Sequence, residues 1–235
     1  MAATQAPVAH RAMDGRRFLL SGSLDFSAPF TSVVELTVAG RPHEFTAGSV
    51  GLVDDLAAAL GATDFDEVLS YQGGTLMTTR VRSHDAQIRL DEDRLVAAWR
   101  GRRYCFLTQI YGATTNDLLA MLRTLRIVEH DDGLVVQPNA RAGSRFAAAA
   151  AVIKEVPGLG LLDMTPLTAE RTRQLPTWRG LATGAGELFR DTLSDGRPYF
   201  VLAATDTWVT VLPLADTTVD QVPELVGRLR VQTAR

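Results

Sequence analysis

The chain has 235 residues, 46% of them hydrophobic and 22% charged, which is the composition of a folded globular protein. Its net charge of −3 argues against binding to nucleic acid, and its one cysteine, Cys105, excludes an internal disulfide framework. Residues 1–15 lack a signal-peptide pattern, and the longest apolar run, 146–153, is far below the about 20 residues that cross a bilayer. We therefore expect a cytoplasmic protein that does not bind membranes.

The first half of the chain is expected to be a flexible tail over residues 1–16 and an α+β segment over residues 17–137. Strand-like runs flank the turn residues 40–42, which predicts a hairpin. Apolar residues then recur at helical spacing. They predict a helix with Ser49 as its N-cap and Gly61 at its end.

The middle of the chain alternates between strand and helix signals. Asp64 begins a predicted capped turn that directs Val68 inward. Residues 104–107 are apolar on both faces of a strand, as is typical of a central strand that is covered on each side. Thr115 or Asn116 is the expected cap of the helix that follows.

A linker over residues 138–143 is predicted to separate the first half from a second α+β half over residues 144–235. Ser144 is expected to cap an alanine-rich helix that ends before Pro157. Thr165 has the position of an N-cap before a short helix, because a proline follows it. In the last predicted helix Asp220 is the expected cap.

The two halves share a pattern. Residues 94–122 align with residues 197–225 without a gap, and each copy reads as strand, turn, strand and capped helix. A repeat of about 100 residues is too long for a solenoid, which has periods of about 20 to 50. The sequence therefore predicts an α+β fold of two pseudo-symmetric halves. Each half is an antiparallel β-meander with helices packed on one face.

The sequence contains weak candidates for chemistry. Residues 129–132 could bind a metal, but they fall on a predicted hairpin turn, where acidic residues are simply solvated. Cys105 would need a nearby histidine to act as a nucleophile, and an apolar central strand is expected to raise the pKa of its thiol. Residues 158–160 lack the third glycine of a dinucleotide loop. These patterns favour a protein that is not an enzyme and has no cofactor or metal.

Arginines are frequent in the first predicted sheet, and two interpretations are open. They gather on one surface as an anion or partner site, or they form a solvated strand face with its loop, which is the simpler interpretation. A partly exposed tryptophan is a natural anchor for a partner, although packing is its commoner role. The candidate partner-binding residues are Arg80, Arg82, Arg100, Arg102, Arg103 and Trp178.

The C-terminal stretch resembles a known family. In chain order the residues of this likeness are Asp191-Thr192, Gly196-Arg197, Tyr199, Trp208-Val209-Thr210-Val211 and Pro213. Their order is similar to the closing segment of the EspG-type chaperones of type VII (ESX) secretion. Residues 45–69, 95–127 and 167–175 are compatible with the opening helix, the middle sheet and the short helix of that family.

The resemblance implies a cytosolic protein of two quasi-symmetric halves that holds a PE-PPE-type substrate pair by its exposed apolar tip until secretion. No catalysis is implied. The expected function is therefore that of a protein-binding chaperone or adaptor whose partner is another protein, such as a secreted substrate. This function predicts an exposed apolar groove or patch of several hundred Å². Such a patch is larger than a monomeric protein normally exposes.

Two alternatives stay open from the sequence. A lipid or small-ligand carrier would enclose a closed apolar pocket of about 300 to 1,000 Å³ between its sheet and its helices. A self-assembling structural subunit of a phage or secretion machine would form oligomers, and the sequence is compatible with a homo-oligomer. Native mass spectrometry tests the first alternative, and light scattering tests the second.

Overall fold

The computed structural model describes residues 6–62, 64–85 and 90–234, apart from the side chains of 83–85 and 90–91. Over these residues the protein is mostly antiparallel sheet with helices, which confirms the predicted α+β class. None of the helices described has the length and apolar character needed to span a bilayer. They are α1 (Leu52–Ala59), α2 (Thr115–Leu122), α3 (Ala169–Gln174) and α4 (Val222–Gly227).

The strands are mostly short and are joined by tight turns. Up to residue 138 they are β1 (Val8–Arg11), β2 (Arg17–Gly22), β3 (Phe30–Val38), β4 (Arg41–Ser49), β5 (Glu67–Tyr71), β6 (Gly74–Asp85), β7 (Leu90–Arg100), β8 (Tyr104–Tyr111), β9 (Leu125–His130) and β10 (Gly133–Pro138). The later strands are β11 (Ser144–Phe146), β12 (Ala151–Val156), β13 (Gly160–Pro166), β14 (Leu181–Ala182), β15 (Glu187–Thr192), β16 (Pro198–Ala203), β17 (Thr207–Leu212) and β18 (Leu229–Ala234).

The chain divides into two compact units. Unit 1 contains the described residues of 6–12, 16–30 and 151–234, and unit 2 contains 13–15 and the described residues of 31–150. The division after Ala150 differs from the predicted linker at 138–143, which lies inside unit 2. It also places most of the residues before Thr31 with the C-terminal part of the chain, because β2 pairs with β18.

The predicted flexible tail over residues 1–16 contains a strand. Residues 1–5 lie outside the described residues, but Val8–Arg11 is strand β1. It pairs in antiparallel register with β2, so that His10 lies opposite Phe18. The prediction of a tail up to residue 16 is therefore wrong from Val8 onwards, because this stretch has a strand partner that the local sequence does not reveal.

The sheet of unit 2 has the strand order β3-β4-β8-β7-β6-β5 and is antiparallel throughout. Helix α1 covers one face, where Val53 packs with Ala98 and Cys105. On the other face Trp99 stacks on Phe106, with ring centroids 5.9 Å apart. Strand β8 lies between β4 and β7 and is buried on both faces, as the apolar run over residues 104–107 predicts.

The main sheet of unit 1 has the strand order β12-β13-β17-β16-β15-β14, and β1, β2 and β18 form a smaller sheet in the order β18-β2-β1. The hydrophobic cluster of Phe189, Val201 and Trp208 packs against Leu167 and Leu175, which flank α3. Unit 1 therefore also buries one face of its sheet under its first helix.

The two units have the same order of elements. In unit 2 two strands, a helix, four strands, a helix and a strand run from β3 to β9, and the same series runs from β12 to β18 in unit 1. This agreement concerns element order and strand pairing. The internal duplication and the pseudo-symmetry of the two halves stay predictions until the two segments are superimposed.

The alanine-rich helix expected after Ser144 is absent from the described structure. Residues 144–146 are β11, which pairs with β3, and residues 151–156 are β12, which pairs with β13. Alanine favours a helix locally. The run that follows it, however, buries Val152, Lys154 and Val156 on one side, which is strand periodicity.

The hairpin at residues 40–42 and the helices after Ser49 and Gly112 occur as predicted, but their caps differ. Helix α1 begins at Leu52 with Gly51 in the N-cap position. Helix α2 is capped by Thr114 and not by the two following residues. The Thr114 hydroxyl accepts from the Asp117 N–H, while the Asp117 carboxylate accepts from the Thr114 N–H, which is a capping box.

Three further local predictions are wrong. Val68, expected to point inward, lies on strand β5 and is 64% exposed. Thr165 belongs to β13, where it pairs with Trp208, and Thr168 caps α3 instead. The N-cap of α4 is Gln221 and not Asp220. Thr165 and Asp220 are residue types that fit a cap, but strand pairing or the next turn determines where each helix begins.

Candidate functional site

The edge of the unit 1 sheet is incomplete. Strand β15 pairs with β16 along all of Glu187–Thr192, but β14 pairs only with Glu187 and Leu188. Backbone groups alternate in direction along an antiparallel strand, so the N–H and C=O of Arg190 point to the same edge as those of Leu188. No described strand covers this edge beyond Leu188. Arg190 therefore offers a backbone donor and a backbone acceptor.

A cavity of about 150 Å³ lies beside this edge, and its lining includes Leu181, Leu188, Arg190, Phe200, Asp220 and Pro223. Leu188 and Phe200 are buried and form an apolar floor. The guanidinium of Arg190 lies 5.9 Å from the centroid of the Phe200 ring. An apolar cavity of about 150 Å³ holds a molecule the size of benzene, so one apolar side chain fits here. We call β14, the Arg190 edge and this cavity the edge groove.

Large apolar side chains are exposed around the edge groove. Trp178 is 60% exposed and Leu181 is 55% exposed. Gly180 fixes the chain between them, because its N–H donates to Oε1 of Glu187 at 2.7 Å. A Cβ at Gly180 would lie 2.8 Å from the carbonyl oxygen of Leu188, so only glycine lets the chain approach β15 this closely. The candidate partner residue Trp178 is exposed and lies two residues before Gly180 in the chain.

The candidate arginines do not gather on one surface of the first sheet. In the register of β6 and β7, Arg100 lies opposite Thr75, so these two residues share a face. Residues of β6 alternate between faces, which places Arg80 and Arg82 on the opposite face from Thr75 and Arg100. Of the two interpretations left open by the sequence, a single basic surface is therefore wrong, because Arg80 and Arg82 face away from Arg100.

Several of these arginines have acidic partners within the chain. Arg80 pairs with Asp93 at 2.8 Å, and Arg100 pairs with Asp54 of α1 at 2.5 Å. Arg103 pairs with Asp131 at 2.8 Å. Exposed pairs of this kind contribute little to stability, at most about 1 kcal/mol. These ion pairs reduce the net positive charge that the arginines present to a partner. The binding of a partner at these arginines stays a prediction.

The Glu129 carboxylate caps the turn between β7 and β8. It accepts from the backbone N–H groups of Arg102, Arg103 and Tyr104 at 3.1, 2.6 and 2.9 Å. Burial opposes ionisation of Glu129, but these hydrogen bonds outweigh it and lower the pKa. Among the residues described, no group of three or more His, Cys, Asp or Glu is placed to hold a metal ion. Residues 129–132, the metal candidate of the sequence, therefore include the Glu129 carboxylate, which already accepts hydrogen bonds from the backbone.

Cys105 lies in the core of unit 2 beneath α1. It is 1% exposed, and its thiol donates to the carbonyl oxygen of Ser49 at 3.0 Å. Burial raises the pKa of the thiol to about 11, which confirms the expectation for an apolar central strand. Cys105 is therefore protonated and inaccessible at neutral pH.

Native Cys105 is expected to resist thiol reagents. At about pH 8 the folded protein should react with 5,5′-dithiobis(2-nitrobenzoate) far more slowly than the urea-unfolded chain, because the thiolate is the reacting form and is disfavoured by burial. The absorbance of the released thionitrobenzoate measures both rates. Reaction of the native protein at the unfolded rate would contradict the burial of Cys105.

A larger cavity of about 490 Å³ lies within unit 2, between α2, the β3–β4 turn and the end of β8. Its volume is within the range expected for a small-ligand carrier. The lining includes the exposed residues Arg41 and Tyr111, so the cavity opens to solvent. The carrier alternative expects a closed apolar pocket, and this one is open and partly charged. Val38 and Met121 both line this cavity, but they are far apart in the chain and no local sequence pattern predicts that they meet.

Comparison with other proteins assigns no relative. No protein-family model matches the chain, and no curated protein or solved structure is found to be similar to it. The resemblance of residues 191–213 to the EspG-type chaperones stays a prediction from the sequence.

Proposed function

We propose that the protein is a non-enzymatic protein-binding adaptor that accepts an extended segment of another polypeptide in the edge groove. The observation that carries this proposal is the short β14, which leaves the Arg190 edge of β15 open beside an apolar cavity. An added strand would pair with the Arg190 backbone and place one apolar side chain in the cavity. Strand addition of this kind combines backbone hydrogen bonds with side-chain pockets.

The residues around the edge support the proposal. Natural sheet edges are usually protected by charged side chains, proline or a covering segment, because open edges pair with other chains. Arg190 is a charged residue on this edge, but its guanidinium lies 5.9 Å from the centroid of the Phe200 ring, and the edge groove also includes the exposed apolar residue Leu181.

The corresponding edge in unit 2 carries an acidic side chain directly beyond its paired residues. Strand β5 pairs with residues 74–78 of β6. Directly before β5 begins, the Asp66 carboxylate accepts from the Thr79 hydroxyl at 2.9 Å and from the Arg80 N–H at 3.4 Å. An acidic side chain thus occupies the position that a partner strand would take. This difference supports unit 1 as the docking unit and makes β5 a matched control.

The proposal extends to the class of partner. If the resemblance to the EspG-type chaperones holds, the extended segment belongs to a secreted PE-PPE-type substrate. The protein would hold this substrate in the cytoplasm before export. Leu181, Leu188 and Phe200 would then contact an apolar residue of that substrate. Both the partner class and the location are proposals.

Short linear peptides selected from a displayed library on the full-length protein test the edge groove. The expected peptides are extended, carry at least one large apolar residue and slow hydrogen exchange of the Arg190 amide. Leu181→Asp should weaken their binding by about 10-fold or more, because a carboxylate would be desolvated beside the cavity. The matched control Val68→Asp, on the exposed edge strand of unit 2, should leave binding unchanged.

Two outcomes would overturn the proposal. Selected peptides that bind Leu181→Asp as tightly as the wild type would exclude the edge groove. Peptides that bind while the Arg190 amide exchanges at its free rate would exclude strand addition. Circular dichroism and urea unfolding of both variants establish that each substitution leaves the fold intact.

A further inference from the structure

The cavity in unit 2 has an apolar wall built from three separate elements. Val38 closes the end of β3, Ala113 follows β8, and Met121 is on α2, and all three are at least nine-tenths buried. Ile110 of β8 adds a further apolar contact surface. Because these side chains are already packed against the core, the wall exists before any ligand binds. A preformed apolar wall of this kind is typical of small-molecule sites.

The cavity also contains a cation, Arg41, which has no hydrogen-bonded partner among the described residues. After the hydrogen bonds from Thr114, its charge also contributes to the lowered pKa of Asp117 in the same cavity. Arg41 and His43 lie two residues apart on β4, so their side chains share a face. Within the described part of the chain the guanidinium of Arg41 makes no hydrogen bond and no ion pair. Arginine binds carboxylates through two parallel N–H groups, and such charge-assisted hydrogen bonds are about twice as strong as neutral ones.

Asp117, the acidic residue of the cavity, is already engaged. Its carboxylate accepts from the Thr114 hydroxyl at 2.7 Å and from the Thr114 N–H at 2.9 Å. These hydrogen bonds lower the pKa of Asp117, so it stays ionised as the cap of α2. The Asp117 charge opposes a second negative charge on a ligand. The balance therefore favours a monoanion over a dianion such as phosphate.

We infer that this cavity binds small monocarboxylates with a compact apolar body. The carboxylate is held by Arg41, with His43 beside it, and the apolar body lies against Val38, Ile110 and Met121. Burial and then the Arg41 charge lower the pKa of His43, so the ring is neutral at pH 7 and offers a hydrogen bond without further charge. The site lies wholly in unit 2 and does not depend on the edge groove.

Calorimetric titration of the full-length protein with 2-naphthoate tests this inference, with the uncharged 2-naphthamide as the matched ligand. The naphthoate should bind more tightly than the amide. Arg41→Gln should lower the affinity for naphthoate by about 10- to 100-fold and leave that for the amide unchanged. The control Arg126→Gln removes an exposed arginine of unit 2 that does not line the cavity, and it should have no effect.

A second variant locates the ligand. Ala120 is an exposed residue of α2 that lines the cavity, so Ala120→Trp should fold normally and occlude the site. Loss of naphthoate binding in this variant is expected. Three results would overturn the inference: no binding of naphthoate to the wild type, equal binding of naphthoate and amide, or unchanged binding in Ala120→Trp. Competition by inorganic phosphate at equal concentration would also overturn the inference, because the cavity would then prefer a phosphate-type ligand to a monocarboxylate.

Discussion

Trp99→Ala is expected to lower the free energy of unfolding by about 3–5 kcal/mol, the range for removing a large buried aromatic side chain. Trp99 is 2% exposed and stacks on Phe106. Its indole N–H donates to the carbonyl oxygen of Tyr71 at 2.8 Å. The ring lies directly on the backbone of Gly74, where a Cβ would come within 2.5 Å of it. Alanine would leave a cavity on Phe106 and an unpaired, half-buried carbonyl at Tyr71.

Urea unfolding monitored by circular dichroism measures this effect. Trp99→Phe is the matched control, because it keeps an aromatic ring on Phe106 and removes the hydrogen bond to Tyr71. We expect it to cost about 1–3 kcal/mol, the range for leaving a buried acceptor unsatisfied with little loss of packing. A loss below about 1 kcal/mol in Trp99→Ala would contradict the packing of Trp99, since cavities of this size cost more.

Lys154→Ala is expected to destabilise the protein by about 2–4 kcal/mol, while Lys154→Met has a much smaller effect. Lys154 is the one lysine of the chain and is 1% exposed. Its amine donates to the carbonyl oxygen of Ala28 and lies 4.2 Å from the centroid of the Phe30 ring. Alanine would remove the buried methylene stem, whereas methionine keeps most of its volume. Urea unfolding at neutral pH measures both variants.

The pH dependence of stability separates the charge of Lys154 from its packing. Burial lowers the pKa of Lys154, and the Asp25 charge offsets part of this effect. Between the lowered folded pKa and the unfolded value of about 10.4, the unfolded chain binds more protons, so the contribution of Lys154 to stability rises with pH. Below this window the wild type buries the charged amine at a cost, and Lys154→Met does not have this cost because methionine carries no charge.

The difference in unfolding free energy between the wild type and Lys154→Met should therefore shift in favour of the wild type as the pH rises through this window. Cys105, Tyr104 and Tyr199 also titrate at alkaline pH, but they are present in both proteins and cancel in the difference. Chemical unfolding at several pH values between neutral and about 10.4 measures it. A difference that is independent of pH would contradict the lowered pKa of Lys154.

The sequence predicts only part of the edge groove. Trp178 is a candidate contact residue because a partly exposed tryptophan is a natural anchor for a partner, and it is 60% exposed in the structure. Leu181 and Pro223 come from elements about 40 residues apart, and the open edge depends on β14 being only two residues long. Neither fact has a local signature in the sequence.

The sequence by itself determined the α+β class, the hairpin at residues 40–42, the helices after Ser49 and Gly112, and the burial of Cys105. These features depend on periodicity and turn residues within a few positions of each other. Only the tertiary structure decided that residues 144–146 and 151–156 are strands, that the arginines of the first sheet face opposite sides, and that Arg41 lines a cavity. Each of these depends on pairing with residues distant in the chain, which local propensity does not encode.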